Sequence, residues 1–176
     1  ETRPVDLAVR TNVTADGLAD IFRSPNRLVH YVGHCDDEGL RCADGWLDTS
    51  DLGTVRARSF VLNACGSYDQ GIELVDKGAV AGAVTLRNAL DEQAATVGST
   101  LVRLLLRGFD LGQGVDLARR RVLMGADYVA IGDGTCRPMY DGDPPTVLRL
   151  EADGDRFRLQ ARPVTADRTG HRHRTP

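Results

Sequence analysis

Four short, nearly continuous apolar runs constrain this chain more than any other feature. They are Leu28 to Val32, Ser59 to Leu62, Val80 to Leu86 and Tyr128 to Ile131. A strand with one solvated face alternates apolar and polar residues, whereas a strand covered on both faces reads as an almost unbroken apolar run. Helical patterns stand between these runs. Thr14 is placed to cap a short helix carrying Leu18, Ile21 and Phe22. Ile72 to Val75 reads as a helix that stops near Gly78. Ala94, Val97, Leu101, Leu104 and Leu105 recur at helical spacing up to Gly108. A further amphipathic helix starts after Asp110. It carries Leu111, Val115, Ala118 and Val122 on one face and Leu117 beside it, with Gly112 and Gly114 weakening its first turn. The alternation predicts an α/β fold: a mostly parallel sheet with helices on both faces.

The remaining segments are read the same way. Val5 to Val13 alternates with Val5, Leu7 and Val9 on one face, which predicts a strand. Asp36-Asp37-Glu38-Gly39 reads as an acidic loop, and Asp44-Gly45 as a hairpin turn within Leu40 to Leu47. Thr49 or Ser50 is expected to cap a brief helix through Leu52. Beyond Arg137 the character changes. Pro144-Pro145 breaks the chain, Val147 to Leu150 and Phe157 to Ala161 flank a turn at Asp153-Gly154-Asp155, and the polar tail from Asp167 is expected to be flexible. The expected division is therefore an α/β domain over 1–136 and a hairpin with a tail over 137–176. No internal repeat is visible.

Composition excludes several functions. With 22 basic and 25 acidic residues the net charge is −3, so nothing draws the chain to nucleic acid or to an anionic membrane. No apolar run approaches the ~20 residues a bilayer-spanning helix needs. No secretory leader is visible, which points to the cytoplasm, and a first residue of Glu1 rather than Met points to a piece of a longer protein.

Four cysteines, Cys35, Cys42, Cys65 and Cys136, raise three chemistries: disulfides, a metal site or a reactive thiol. A chain of this length with no secretory leader does not need disulfides. His30 and His34 have an H-x3-H spacing, but in a strand they lie ~13 Å apart at ~3.3 Å per residue, too far for one ion with bonds near ~2 Å. A site drawn from Cys35, Cys42 and Cys136 stays open, with no recognisable spacing. Gly78 with Gly82, and Gly132-Asp133-Gly134, lack the order of a dinucleotide fingerprint. Arg119-Arg120-Arg121 reads as the solvated side of a helix. Ligands in open α/β sheets bind at the carboxyl ends of the strands. Two of the core runs end there in reactive residues: Gly33-His34-Cys35 and Asn63-Ala64-Cys65-Gly66-Ser67. An imidazole and a thiol at neighbouring strand ends are the minimum for a cysteine nucleophile with a histidine base. Gly33, Ala64, Gly66 and Ser67 are small enough to leave room for a substrate backbone. A buried cysteine acting only as a small hydrophobe is the plainer alternative.

These segments carry a family resemblance. Leu28-Val29-His30-Tyr31-Val32-Gly33-His34 resembles the histidine strand of the CHAT domain, a branch of the caspase-like cysteine peptidases. Phe60-Val61-Leu62-Asn63-Ala64-Cys65-Gly66-Ser67 resembles its cysteine strand. Gly78-Ala79-Val80-Ala81-Gly82-Ala83-Val84 is similar to the next core strand. Asp91 to Gly108 and Gly114 to Arg120 are similar to the two later helices, so the likeness runs from Val5 to Gly134. It implies a caspase-like three-layer sandwich and a peptidase dyad, with His34 as base and Cys65 as nucleophile. It implies an oxyanion held by the backbone N–H groups of Cys65 and Cys35. Cys35 stands where the family usually has Gly, which bears on access to the site. For substrate binding it points to Asn63, two residues before the nucleophile, and to Arg87 and Asp91. Arg87 suits an acidic substrate side chain. Asp36, Asp37, Glu38 and Asp91 suit a basic one, and an Asn rather than an Asp at position 63 weakens the case for a basic preference. No cofactor is implied. The partners implied are a protein or peptide substrate and an upstream sensor or repeat region. A catalytically inactive caspase-like binding module remains the alternative.

Overall fold

The molecule, a computed structural model, is described over residues 6–87, 91–120, 127–139, 146–153 and 156–163. Helix α1 (Ala15–Arg23) opens at Thr14, whose side chain accepts from the Gly17 N–H at 3.1 Å. Strand β1 (Val29–Val32) follows. A small antiparallel sheet comes next, from β2 (Cys35–Asp36), β3 (Gly39–Cys42) and β4 (Gly45–Leu47). After a single 3₁₀ turn (Thr49–Asp51) the chain alternates regularly. The order is β5 (Ser59–Asn63), α2 (Tyr68–Asp76), β6 (Ala81–Thr85), α3 (Asp91–Leu106), α4 (Leu111–Arg119) and β7 (Tyr128–Gly132). Strands β8 (Thr146–Asp153) and β9 (Arg156–Pro163) pair with each other antiparallel.

The main sheet runs β1-β5-β6-β7. The first three strands are parallel and β7 is antiparallel to β6. Every residue of β5 and β6 is buried, which is why these runs lack polar alternation. The pleat still sorts their side chains between two cores. Phe60, Leu62 and Val84 join Leu18 and Phe22 of α1 and Leu74 of α2. Val61, Ala81 and Ala83 join Val97, Leu101 and Leu105 of α3 and Leu111 and Val115 of α4. The result is the expected three-layer α/β sandwich.

Three expectations need correction. Residues 6–12 form no strand, and Leu7 and Val9 are 77% and 79% exposed. The segment hydrogen-bonds to no sheet edge, and Asn12 at φ 53° turns the backbone out of the extended region. The acidic stretch from Asp36 to Gly39 is not a loop standing alone. Asp36 and Gly39 pair across the tight β2–β3 hairpin. The 3₁₀ turn is capped by Asp48, which accepts from the Ser50 N–H at 2.9 Å, and not by Thr49 or Ser50. Thr49 is buried instead, its N–H donating to Gln70 Oε1 at 2.8 Å and its hydroxyl to the Gln70 carbonyl at 2.8 Å. Val122, Pro144-Pro145 and the tail from Asp167 lie outside the described residues. No helix among those described is long and apolar enough to cross a membrane.

Candidate active site

Strands β1 and β5 are parallel neighbours, so both end on the same side of the sheet. Their register runs to Val32 opposite Asn63, and the Gly33 N–H still donates to the Asn63 carbonyl at 3.3 Å. Beyond that point the two chains separate. One carries His34 and Cys35 into β2. The other carries Ala64 to Ser67 into α2. A cleft of about 400 Å³ opens between them, lined by Cys35, Asp36, Asp37, Cys65, Gly66, Asp69 and Gln70. Cys35 and Cys65 are both half-buried there, and neither is in a disulfide. His34 is exposed on the loop beside the cleft and is not one of the residues that line it.

The histidine loop is held by one tyrosine. The Tyr31 hydroxyl lies 2.9 Å from the His34 carbonyl and 2.8 Å from the Arg41 carbonyl, and the Arg41 N–H donates to the His34 carbonyl at 2.9 Å. The ring folds back over the chain so closely that a Cβ at Gly33 would sit 2.5 Å from its hydroxyl oxygen. Any larger residue before the histidine would have to displace that ring. Burial pushes the Tyr31 phenol up to about 12, with smaller contributions from Cys42 and Cys35.

The cysteine turn is held by two buried hydroxyls. Thr85, at the end of β6, donates to the Ala64 carbonyl. Ser67 donates to the Leu62 carbonyl at 3.2 Å and accepts from the Thr85 N–H at 3.1 Å. The Ser67 N–H lies 3.4 Å from Thr85 Oγ1, and the Gly66 N–H donates to the Arg87 carbonyl at 3.3 Å. Gly66 takes φ 60°, a left-handed conformation that lets the strand reverse into α2 immediately after Cys65. By size alone Ser67 is a small residue that leaves room for substrate. It is 0% exposed and structural. The available signal was a hydroxyl at the end of each of two apolar runs, since a buried polar group must find a partner.

The other expected site residues are placed as follows. Asn63 is 6% exposed and does not line the cleft. Its carboxamide oxygen accepts from the Tyr128 hydroxyl, and Gly98 of α3 lies against its side chain. Arg87 is exposed just past β6, next to the cysteine turn through its carbonyl. Asp91 is the first residue of α3, and its side chain lies outside those described. The metal site drawn from Cys35, Cys42 and Cys136 is overturned. Cys42 is buried in the α1–α2 core and Cys136 in the α3–α4 core, on opposite faces of the sheet. Among the described residues no group of three or more His, Cys, Asp or Glu can hold a metal ion.

Charge in the cleft is one-sided. Asp36, Asp37 and Asp69 contribute carboxylates to its lining. Burial first, then Asp36, Cys65, Asp69 and Asp37, push the Cys35 thiol up to about 11. Cys35 therefore stays protonated at neutral pH.

Neither a family model nor a curated protein matches this sequence. A solved structure does match the fold. It is the complex of the pro- and mature domains of RgpB from Porphyromonas gingivalis, with a TM-score of 0.56 and 14% identity, over 82% of this chain and 41% of that one. The chain thus spans less than half the length of that relative. The likeness shows the fold alone: an α/β sandwich with a mostly parallel central sheet, consistent with a caspase-like fold.

Proposed function

We propose that this chain is a caspase-like cysteine endopeptidase domain of the CHAT type, with Cys65 as nucleophile and His34 as base. The observation that supports it is the convergence of two loops. The loops after adjacent parallel strands β1 and β5 bring an imidazole and a thiol to one end of the sheet, beside a cleft of about 400 Å³. In this reading His34 takes the Cys65 proton, and the thiolate attacks a peptide carbonyl. The backbone N–H groups of Cys65 and Cys35 hold the developing oxyanion. His34 then returns the proton to the leaving amine, and water hydrolyses the thioester. In this reading the His34 side chain turns into the cleft when substrate binds, since catalytic contacts are commonly loose before then. Arg87 acts at the substrate's edge of the strand ends and Asp91 at the start of α3, while Asn63, turned inward to Tyr128, only positions the end of β5. An upstream sensor region in the full-length protein and a cytoplasmic setting belong to the same proposal. The test is cleavage of a peptide library by the native chain and by the Cys65→Ala and His34→Ala variants. Both substitutions are expected to abolish cleavage, and unchanged cleavage by Cys65→Ala refutes the reading.

A second reading, an inactive caspase-like binding module, is favoured by one observation: the cleft is lined by the Cys35 side chain and not by His34. A thiol probe discriminates the two. Selective, rapid labelling of Cys65 supports the peptidase. Labelling no faster than at Cys42 or Cys136 supports the module.

A further inference from the structure

Two thiols line one cleft. Cys35 follows Gly33 by two residues, and Cys65 follows Asn63 by two, from a point where the Gly33 N–H still bonds to the Asn63 carbonyl at 3.3 Å. Past that bond the chains part around the cleft, and Cys35 and Cys65 both line it, near enough to interact electrostatically. The other two cysteines, Cys42 and Cys136, are buried in separate cores. We propose that Cys35 and Cys65 are a redox-modification site, joined reversibly into a disulfide by a hydroperoxide. This rests on the cleft geometry and not on the peptidase reading.

The chemistry balances with hydrogen peroxide as oxidant. The Cys65 thiolate attacks one peroxide oxygen; an S–O bond forms, the O–O bond breaks, and hydroxide leaves to be protonated to water. Cys35 then attacks the sulfenic sulfur. The S–S bond forms, the S–O bond breaks, and the Cys35 proton leaves with that oxygen as a second water. Two thiols have lost two electrons and one peroxide has become two waters. The order of the steps follows from the surroundings. Cys35 is held protonated by burial and by Asp36, Asp37 and Asp69, so it is the resolving thiol.

The test reads the bond directly. The full chain is treated with a few equivalents of hydrogen peroxide near neutral pH, blocked with N-ethylmaleimide and digested with trypsin without reductant. Cleavage after Arg27, Arg41, Arg56, Arg58 and Lys77 places Cys35 in peptide 28–41, Cys42 in 42–56 and Cys65 in 59–77. The expected product is 28–41 joined to 59–77, released by dithiothreitol and missing in Cys35→Ser, where Cys65 proceeds to sulfinic acid. A second probe addresses the reduced state. Phenylarsine oxide, which bridges paired thiols, is expected to bind the native chain at least about tenfold more tightly than Cys35→Ser. The proposal is overturned if both peptides stay unlinked, if 59–77 links to 42–56, or if the native chain gives sulfinic acid at the same dose. Peptide cleavage is measured separately. Loss on oxidation and recovery on reduction then speaks to the peptidase, while the linked peptide stands or falls by mass alone.

Discussion

Replacing Thr85 by Val removes a hydroxyl and changes little else in shape. Thr85 is 1% exposed, and its hydroxyl donates to the carbonyl of Ala64, which is 5% exposed. It is also the acceptor facing the Ser67 N–H at 3.4 Å. In the variant one buried carbonyl loses its donor and one buried N–H loses a long, weak acceptor. An orphaned buried group costs about 1–3 kcal/mol. The added methyl returns under about 1 kcal/mol of apolar burial. The net expectation is a loss of about 2 kcal/mol. With a urea slope of about 2 kcal/mol/M, the unfolding midpoint falls by about 1 M with the slope unchanged. The same loss frees the turn that carries Cys65, so alkylation of Cys65 should change in rate while that of Cys42 does not. Ser67→Ala is the partner measurement, because Ser67 and Thr85 bond to each other. The double variant should fall short of the sum of the singles by about 0.5 kcal/mol or more. A loss under about 0.5 kcal/mol for Thr85→Val refutes the claim that this hydroxyl holds the cysteine turn.

Four further outcomes are expected. Gly82→Ala should lower the thermal midpoint, with a loss of about 1–3 kcal/mol from overpacking, because a Cβ there falls 2.0 Å from the Phe60 ring. Gly53→Ala, with nothing within 4 Å, should leave it unchanged. Alkaline pH should destabilise the fold through Tyr128, which is 1% exposed and whose phenol burial, then Cys65, raises to about 12. The folded value lies above the unfolded one, so the stability is present below about pH 10 and is lost by about pH 12, about 2–3 kcal/mol in all. Tyr128→Phe should flatten that part of a pH–stability curve. If the chain cleaves peptides, three carboxylates in the cleft lining should favour a substrate with Arg or Lys near the scissile bond. A preference of roughly tenfold in kcat/KM over an acidic side chain is expected, at about 0.2–1 kcal/mol per exposed charge contact. Equal cleavage of both sets removes the cleft as the recognition surface.

Much of the fold was legible because its elements are decided locally. The helix starts at Thr14 and Asp110 were readable because a short acceptor side chain before an amphipathic run satisfies an otherwise orphaned N–H. Both caps are in place, Asp110 accepting from the Gln113 N–H at 2.8 Å. The buried strands were readable because two-sided burial erases alternation. Val5 to Val13 failed for the complementary reason. A strand pattern states what a segment can bury, but a strand exists only where an edge accepts its hydrogen bonds, and residues 6–12 pair with none of the described strands.

The sequence by itself determined the order of the elements and the two strand ends on which His34 and Cys65 sit, since both follow from local patterning. Only the tertiary structure decided which residues share the cleft. The parallel pairing of β1 with β5 brought Cys35 beside Cys65, sent Asn63 inward to Tyr128, and divided Cys42 from Cys136 across the sheet. It also turned Ser67 from a gap beside the substrate into a buried strut. The physical reason is the pleat and the pairing register. Moving one residue along a strand exchanges its face, and no local pattern records which neighbour will stand opposite once the faces are covered.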